Sequence, residues 1–141
     1  MLPSFVIDAS VIVSWYNPDE QNDYAKNILF CLKKERAIVP CLCYFEVNNV
    51  LRMLEKKGKI PSLSVDKAIL ATDKLQIVRD NAPTGFNMPL ILRLSREHGL
   101  TIYDACYLEL AARLNLPLAS LDNDLIKAAE TAKIAIKAVY T

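Results

Sequence analysis

The chain has 141 residues, 52% of them apolar, with 17 Lys and Arg side chains against 16 Asp and Glu. This size predicts one globular domain over residues 1–141, and a formal net charge of +1 excludes the global attraction to nucleic acid of a strongly basic protein. The longest uncharged stretch, residues 81–92, contains two prolines and is too short for the ~20 apolar residues of a membrane-spanning helix. No basic segment precedes the first apolar run, which Asp8 soon interrupts, so we expect a cytoplasmic protein without a signal peptide.

The cysteines do not have the spacing of a structural zinc site. Cys31, Cys41, Cys43 and Cys106 include no C-x-x-C pair, and His98 is the only histidine. Because a domain of this size can bury a sufficient core without disulfides, we expect these cysteines to be reduced thiols.

Strand and helix patterns alternate along the chain. Residues 5–7 form a short β-branched and aromatic run that predicts a strand, and residues 11–15 predict a helix. A second helix follows the turn at residues 17–20, and the remaining elements are predicted as a strand at 37–39, helices at 40–58 and from 62, a strand at 76–79, helices at 89–99 and 101–114, a strand at 116–121, a helix at 125–132 and a last strand at 134–139. This alternation predicts an α/β fold with three layers (α/β/α) and a central parallel sheet.

Acidic residues stand where the predicted strands end or the next helices begin. Asp8 and Asp122 each follow an apolar strand directly, and Glu46 lies in an early turn of the helix after the second strand. Asp104 heads a row with the helical spacing of a buried face, which continues through Tyr107, Leu108 and Ala111. Because ligands of such sheets bind at the carboxyl ends of the strands, we expect these acids to converge.

Each acid has a simpler explanation when taken alone. Asp8 or Ser10 could cap the first helix, and Asp122 could cap the short helix that follows it. Glu46 could be a solvated helix residue, and Asp104 fits a capping box with Thr101. Capping does not explain why the four acids would converge. Two like charges ~4 Å apart repel by roughly 4 kcal/mol at an effective dielectric constant of 20, so clustered carboxylates require a cation or protons. An all-oxygen acidic cluster suits Mg²⁺ or Mn²⁺, which can activate water against a phosphodiester.

Four strings in chain order resemble the PIN domains, and most closely the VapC-type toxin ribonucleases. They are residues 6–10 (Val-Ile-Asp-Ala-Ser), Pro40 with residues 46–51 (Glu-Val-Asn-Asn-Val-Leu), residues 99–108 (Gly-Leu-Thr-Ile-Tyr-Asp-Ala-Cys-Tyr-Leu) and residues 118–122 (Leu-Ala-Ser-Leu-Asp). The strings together extend over nearly the whole chain.

The resemblance implies a metal-dependent endoribonuclease that cleaves RNA by a metal-activated water and leaves 5′-phosphate and 3′-hydroxyl ends. The implied catalytic and metal-binding residues are Asp8, Glu46, Asp104 and Asp122, with Mg²⁺ or Mn²⁺ as cofactor. Ser10 would lie beside the metal through its hydroxyl, and Asn49 would orient Glu46. The resemblance also implies a homodimer and a small antitoxin partner, for which Trp15, Tyr16 and the helix after Asp19 are candidate surfaces.

Other functions remain open on the sequence alone. A non-catalytic PIN-like module could use an acidic groove to receive a basic partner peptide. A phosphoacceptor receiver domain would need a lysine at the end of a late strand, but Lys137 falls inside the predicted one. A haloacid-dehalogenase phosphatase would need Asp-x-Asp after the first strand, where Ser10 takes the second position.

Basic residues near the helix of Glu46 have two interpretations. These residues are Arg52, Lys56, Lys57 and Lys59. They could hold backbone phosphates of RNA, or they could be solvated cations favoured at a helix C-terminus.

Overall fold

A parallel sheet of four short strands forms the centre of the fold, in a computed structural model that describes residues 1–83 and 85–139. The strands are β1 (Phe5–Ile7), β2 (Ala37–Val39), β3 (Ile77–Arg79) and β4 (Leu118–Ala119). Their order is β3-β2-β1-β4, and all three pairings are parallel. The helices are α1 (Ala9–Ser14), α2 (Asp23–Cys31), α3 (Leu42–Lys56), α4 (Ser62–Asp73), α5 (Met88–His98), α6 (Ile102–Leu114) and α7 (Asn123–Thr131).

The helices divide into two packed groups. The first, α1 to α4, supplies the crossovers that run from β1 outwards to β3, and neighbouring members of this group contact one another. The chain then returns across the sheet to β4, and α5, α6 and α7 form the second group. Because parallel crossovers are right-handed, this reversal of direction places the second group on the opposite face. The predicted three-layer α/β/α architecture is confirmed.

Apolar side chains of the strands and helices share one buried cluster. All residues of β1 and β2 are buried, and α6 contributes Tyr107, Leu108 and Ala111 from the face predicted by their spacing. On α3, the predicted stripe is buried at Val47, Leu51 and Leu54, but Val50 is 37% exposed. No helix in the described part of the chain has the length and hydropathy to cross a bilayer.

Helix boundaries follow local capping groups. Asn22 and Thr101 accept hydrogen bonds from the backbone N–H three residues later, which fixes the starts of α2 and α6. Gly99 ends α5 with a φ of 64°, a left-handed conformation that glycine adopts without steric cost.

The strands near the carboxyl end of the chain are shorter than predicted. The strand predicted at 116–121 has only two residues in β4, and the predicted strand at 134–139 is reduced to one parallel bridge between Leu118 and Ile136. β4 ends where the side chains of Ser120 and Asp122 accept hydrogen bonds from the backbone N–H groups of Asp122 and Leu125.

Candidate active site

An acidic pocket of about 340 Å³ opens at the carboxyl end of the sheet. All four acids predicted to converge line this pocket, each from a different segment of the chain. Among the described residues, the lining consists of Asp8, Ala9, Ser10, Val13, Glu20, Glu46, Val50, Asp104, Leu121 and Asp122. No lysine, arginine or histidine is among these lining residues.

Asp8 is the most buried of the acids, with 4% of its surface exposed. Its Oδ2 accepts hydrogen bonds from the hydroxyls of Ser10, at 2.6 Å, and Ser120, at 2.8 Å. The same hydroxyls accept from the backbone N–H groups of Leu121 and Asp122 respectively, both at 3.0 Å. Two serines therefore tie the end of β1 to the end of β4 and hold the carboxylate of Asp8 between them.

Glu46 enters the pocket from the second turn of α3. The hydroxyl of Tyr107, on α6, donates a hydrogen bond to Glu46 Oε1 at 2.7 Å. Glu46 is only half-buried, whereas Tyr107 is fully buried. The structure thus gives Glu46 one fixed oxygen on the core side of the pocket.

Asp104 and Asp122 both stand at helix N-termini. Asp104 lies in the first turn of α6, where its backbone N–H is capped by Thr101 and its carboxylate lines the pocket. Asp122 is the N-cap of α7, and its Oδ1 accepts from the N–H groups of Asp124 and Leu125 at 2.9 and 3.2 Å. For Asp122, capping and membership of the acidic pocket are therefore both true.

The carboxylates of this pocket are electrostatically strained. Burial raises the pKa of Asp8 above its ordinary value of 3.8, and repulsion from Asp122 adds to the effect although both serine hydroxyls oppose it. Burial also raises the pKa of Asp104, with further contributions from Asp8 and Asp122. The pKa of Glu46 is raised by burial and by Asp8 and Asp104, against the hydrogen bond from Tyr107. Such a cluster favours a cation or protons.

The donor chemistry of the pocket fits a hard divalent cation. Carboxylate and hydroxyl oxygens are the groups that Mg²⁺ and Mn²⁺ prefer, and no basic side chain competes for them along the lining. Within residues 1–83 and 85–139, however, no three acidic, histidine or cysteine side chains approach closely enough to form a ready-made ligand set. The four acids line one pocket but do not form a preformed set of metal ligands.

Sequence reasoning missed three residues of this neighbourhood. The signal that could identify Ser120 is its position two residues before Asp122, which places both side chains on the same side of an extended segment. The sequence pattern predicts Tyr107 only as a buried core residue, although its spacing from Asp104 also indicates the site. Glu20 lines the pocket from the exposed segment after α1, and no sequence signal identifies it.

Asn49 lies outside the pocket lining. It is exposed on α3, and the hydrogen bond received by Glu46 comes from Tyr107. The orienting role of Asn49 stays a prediction.

Two of the basic side chains predicted near the helix of Glu46 pair with acidic residues outside the pocket lining. Arg52 pairs with Glu55 at 2.9 Å and Lys59 with Asp19 at 2.6 Å, both near the surface. The geometry of these two therefore matches surface ion pairs, and a role in holding phosphates stays a prediction.

Lys137 does not serve the acidic pocket. Its Nζ lies 3.0 Å from Glu35 Oε1 and above the ring of Phe5, and Lys137 is absent from the pocket lining. This position removes the lysine that a phosphoacceptor receiver site would need.

Trp15 and Tyr16 are mainly internal residues. Both are half-buried and pack against the core, and Trp15 donates its ring N–H to the carbonyl of Ala25 at 2.8 Å. The exposed aromatic residue of α2 is Phe30, with 66% of its surface accessible.

A family model described as PIN domain matches residues 5–131. The chain belongs to the PIN domain family. The match begins at the first residue of β1 and ends at the last residue of α7, so the acidic pocket lies within the PIN domain. The family predicted from the four sequence strings is confirmed.

Individual known proteins are similar to this chain over most of its length. Ribonuclease VapC3 of Pyrobaculum aerophilum is 25% identical over 130 residues, which cover 85% of this chain and 90% of that protein. The crystal structure of Mycobacterium tuberculosis VapC20, described as a Sarcin-Ricin loop cleaving toxin, has a TM-score of 0.66 and 15% identity over 89% of this chain and 95% of that one. A toxin-antitoxin complex from Klebsiella pneumoniae has a TM-score of 0.61 and 17% identity over 84% and 87% of the two chains.

Proposed function

We propose that this PIN domain is a metal-dependent endoribonuclease and the toxin of a toxin–antitoxin pair. The observation that carries the proposal is the acidic pocket, in which four carboxylates meet without a basic neighbour along the lining. A relative named Ribonuclease VapC3 supports RNA as the substrate class.

The four acids of the pocket would have different roles in metal binding. Asp8 and Asp104 would hold Mg²⁺ or Mn²⁺ directly, and Glu46 and Asp122 would hold a second ion or its waters. A bound divalent ion lowers the pKa of a coordinated water and neutralises charge on the phosphodiester. Ser10 and Ser120 keep Asp8 in place by donating to one of its oxygens. A 2′-hydroxyl is not needed for hydrolysis by water, so preference for RNA would come from contacts to its shape.

Cleavage of RNA by the purified protein is expected to require Mg²⁺ or Mn²⁺ and to stop with EDTA, because the strained carboxylates need a cation to bind a polyanion. The measurement is gel analysis of a labelled RNA in metal-free buffer, with each ion, and with EDTA followed by excess Mn²⁺. Restored cleavage after Mn²⁺ addition is the control against irreversible damage by the chelator.

Two results would contradict this function. Equal cleavage with and without EDTA would show that the carboxylates do not act through a metal. Mn²⁺ binding without cleavage of any RNA in a total cellular preparation would favour the alternative, a module whose acidic pocket only receives a basic peptide.

The proposed toxin is expected to form a homodimer and to bind a small antitoxin protein. The Klebsiella pneumoniae structure is described as a toxin-antitoxin complex and shares this fold. Exposed apolar side chains on α3, including Phe45, Val50 and Met53, offer surface for association. Light scattering at micromolar concentration is expected to give twice the 15.8 kDa chain mass, and a monomer alone would contradict the dimer.

A further inference from the structure

The buried hydroxyl of Tyr107 donates a hydrogen bond to Glu46, one of the acids of the pocket. Tyr107 has 0% of its surface exposed, and its hydroxyl donates to Glu46 Oε1 at 2.7 Å. A buried tyrosine hydroxyl requires a partner, but a backbone carbonyl of its own layer would satisfy that need. Here the partner is a half-buried carboxylate 61 residues away in sequence, on the other helical layer.

This hydrogen bond connects α6, which carries Asp104, to α3, which carries Glu46. Asp104 and Tyr107 are three residues apart on α6 and therefore lie on the same helical face. Asp104 lines the pocket directly, and Tyr107 reaches from the same face to Glu46 on α3. One helix thus places two of the four acids, one through its own carboxylate and one through a hydroxyl.

The bond also selects how Glu46 can act. A glutamate side chain has three rotatable bonds and, when half-exposed, samples several rotamers. A hydrogen bond to a charged group is shorter and stronger than a neutral one, so the donor from the rigid core holds Oε1 in one place. With Oε1 fixed, few positions remain open to Oε2, and Glu46 lines the pocket.

We infer that Tyr107 is a positioning residue that orients Glu46 towards the divalent cation of the pocket. The inference rests on the proposed metal-dependent function. Groups that orient metal ligands by hydrogen bonding typically change metal affinity or activity by about 10–100-fold when removed.

Tyr107→Phe is the test, because it keeps the buried ring and removes only the hydroxyl. The matched control is Tyr24→Phe, which removes a hydroxyl that donates to the carbonyl of Lys137 at 2.8 Å, away from the pocket. Mn²⁺ affinity is measured by calorimetry, and cleavage is measured across a range of Mn²⁺ concentrations. We expect Tyr107→Phe to weaken Mn²⁺ binding by about 10–100-fold and Tyr24→Phe to leave it unchanged.

Two further readouts separate positioning from folding. Excess Mn²⁺ is expected to restore much of the cleavage by Tyr107→Phe, which a misfolded site would not allow. In a Glu46→Gln background, Tyr107→Phe is expected to cause little further loss of Mn²⁺ affinity, because the two residues act as one unit.

Three outcomes would overturn the inference. They are unchanged Mn²⁺ affinity in Tyr107→Phe, equal losses in Tyr107→Phe and Tyr24→Phe, and fully additive losses in the double variant. Each of these requires that the wild-type protein binds Mn²⁺ and cleaves RNA. If the wild type does neither, the proposed function itself has failed, so the two failures are distinguishable.

Discussion

Asp8→Asn and Asp104→Asn are each expected to reduce the rate of RNA cleavage by more than about 100-fold, because each would remove a direct metal ligand. Loss of a group that only orients a ligand already lowers metal affinity or activity by about 10–100-fold. Asparagine keeps the size of aspartate and its ability to accept hydrogen bonds. The two serine hydroxyls that hold Asp8 can therefore still donate to the variant side chain. Rates of cleavage at saturating Mn²⁺ are the measurement, and Glu130→Gln on the exposed face of α7 is the control for a lost surface charge.

The Asp8→Asn variant is also expected to be at least as stable as the wild type in metal-free buffer at neutral pH. Burial raises the pKa of Asp8, so the folded protein holds this proton more tightly than the unfolded chain does. The wild type therefore loses stability as the pH rises from the ordinary value of 3.8 through the raised pKa. The neutral variant lacks this penalty, so its advantage is expected to grow over the same range and to vanish in acid.

Added Mn²⁺ is expected to reverse this order. A ligand that binds only the folded state stabilises it by about 2.7 kcal/mol at 100 times its dissociation constant, and only the wild type would bind tightly. Thermal unfolding with and without Mn²⁺ measures both effects. Full cleavage by the two variants would contradict the metal site. A large loss of melting temperature by Asp8→Asn in metal-free buffer would contradict the electrostatic penalty at Asp8, whose side chain makes no capping hydrogen bond to α1.

The convergence of the acids was predictable because it depends on topology more than on side-chain detail. Asp8 and Asp122 follow strands, and the carboxyl ends of parallel strands meet at one edge of a sheet. The partners of the acids were not predictable in the same way. The hydrogen bond of Tyr107 to Glu46 joins two helical layers, and Glu20 lies in an irregular segment, so both contacts depend on three-dimensional packing.

The errors in the predicted elements have a similar cause. Val50 has the helical spacing of a buried residue, but on α3 it lines the pocket, which leaves 37% of its surface exposed. The apolar run at 134–139 has strand composition, yet only Ile136 bridges β4 at the edge of the sheet. Periodicity reports which side chains are apolar, while the layers on either side decide which of them become buried.

Asp122 and Asp124 are two residues apart, and their substitutions are expected to separate metal binding from helix capping. Asp122 lines the pocket and caps α7, whereas Asp124 is exposed in the first turn and does not line the pocket. Asp122→Asn keeps an N-cap side chain and removes the charge, so we expect weaker Mn²⁺ binding and slower cleavage at nearly unchanged stability. Asp122→Ala removes both and is expected to cost a further ~1 kcal/mol of stability.

Asp124→Asn is expected to lose only the interaction of its charge with the helix N-terminus, about 0.3–1 kcal/mol, and to keep its Mn²⁺ affinity and cleavage rate. Mn²⁺ titration, cleavage rate and chemical denaturation of the three variants measure the separate effects. If Asp122→Asn has normal Mn²⁺ affinity, Asp122 serves only as a helix cap, because asparagine retains the capping function but not the negative charge. Greater loss of affinity in Asp124→Asn than in Asp122→Asn would place the metal-facing acid two residues further along, inside the first turn of α7 rather than at the end of the β4 segment.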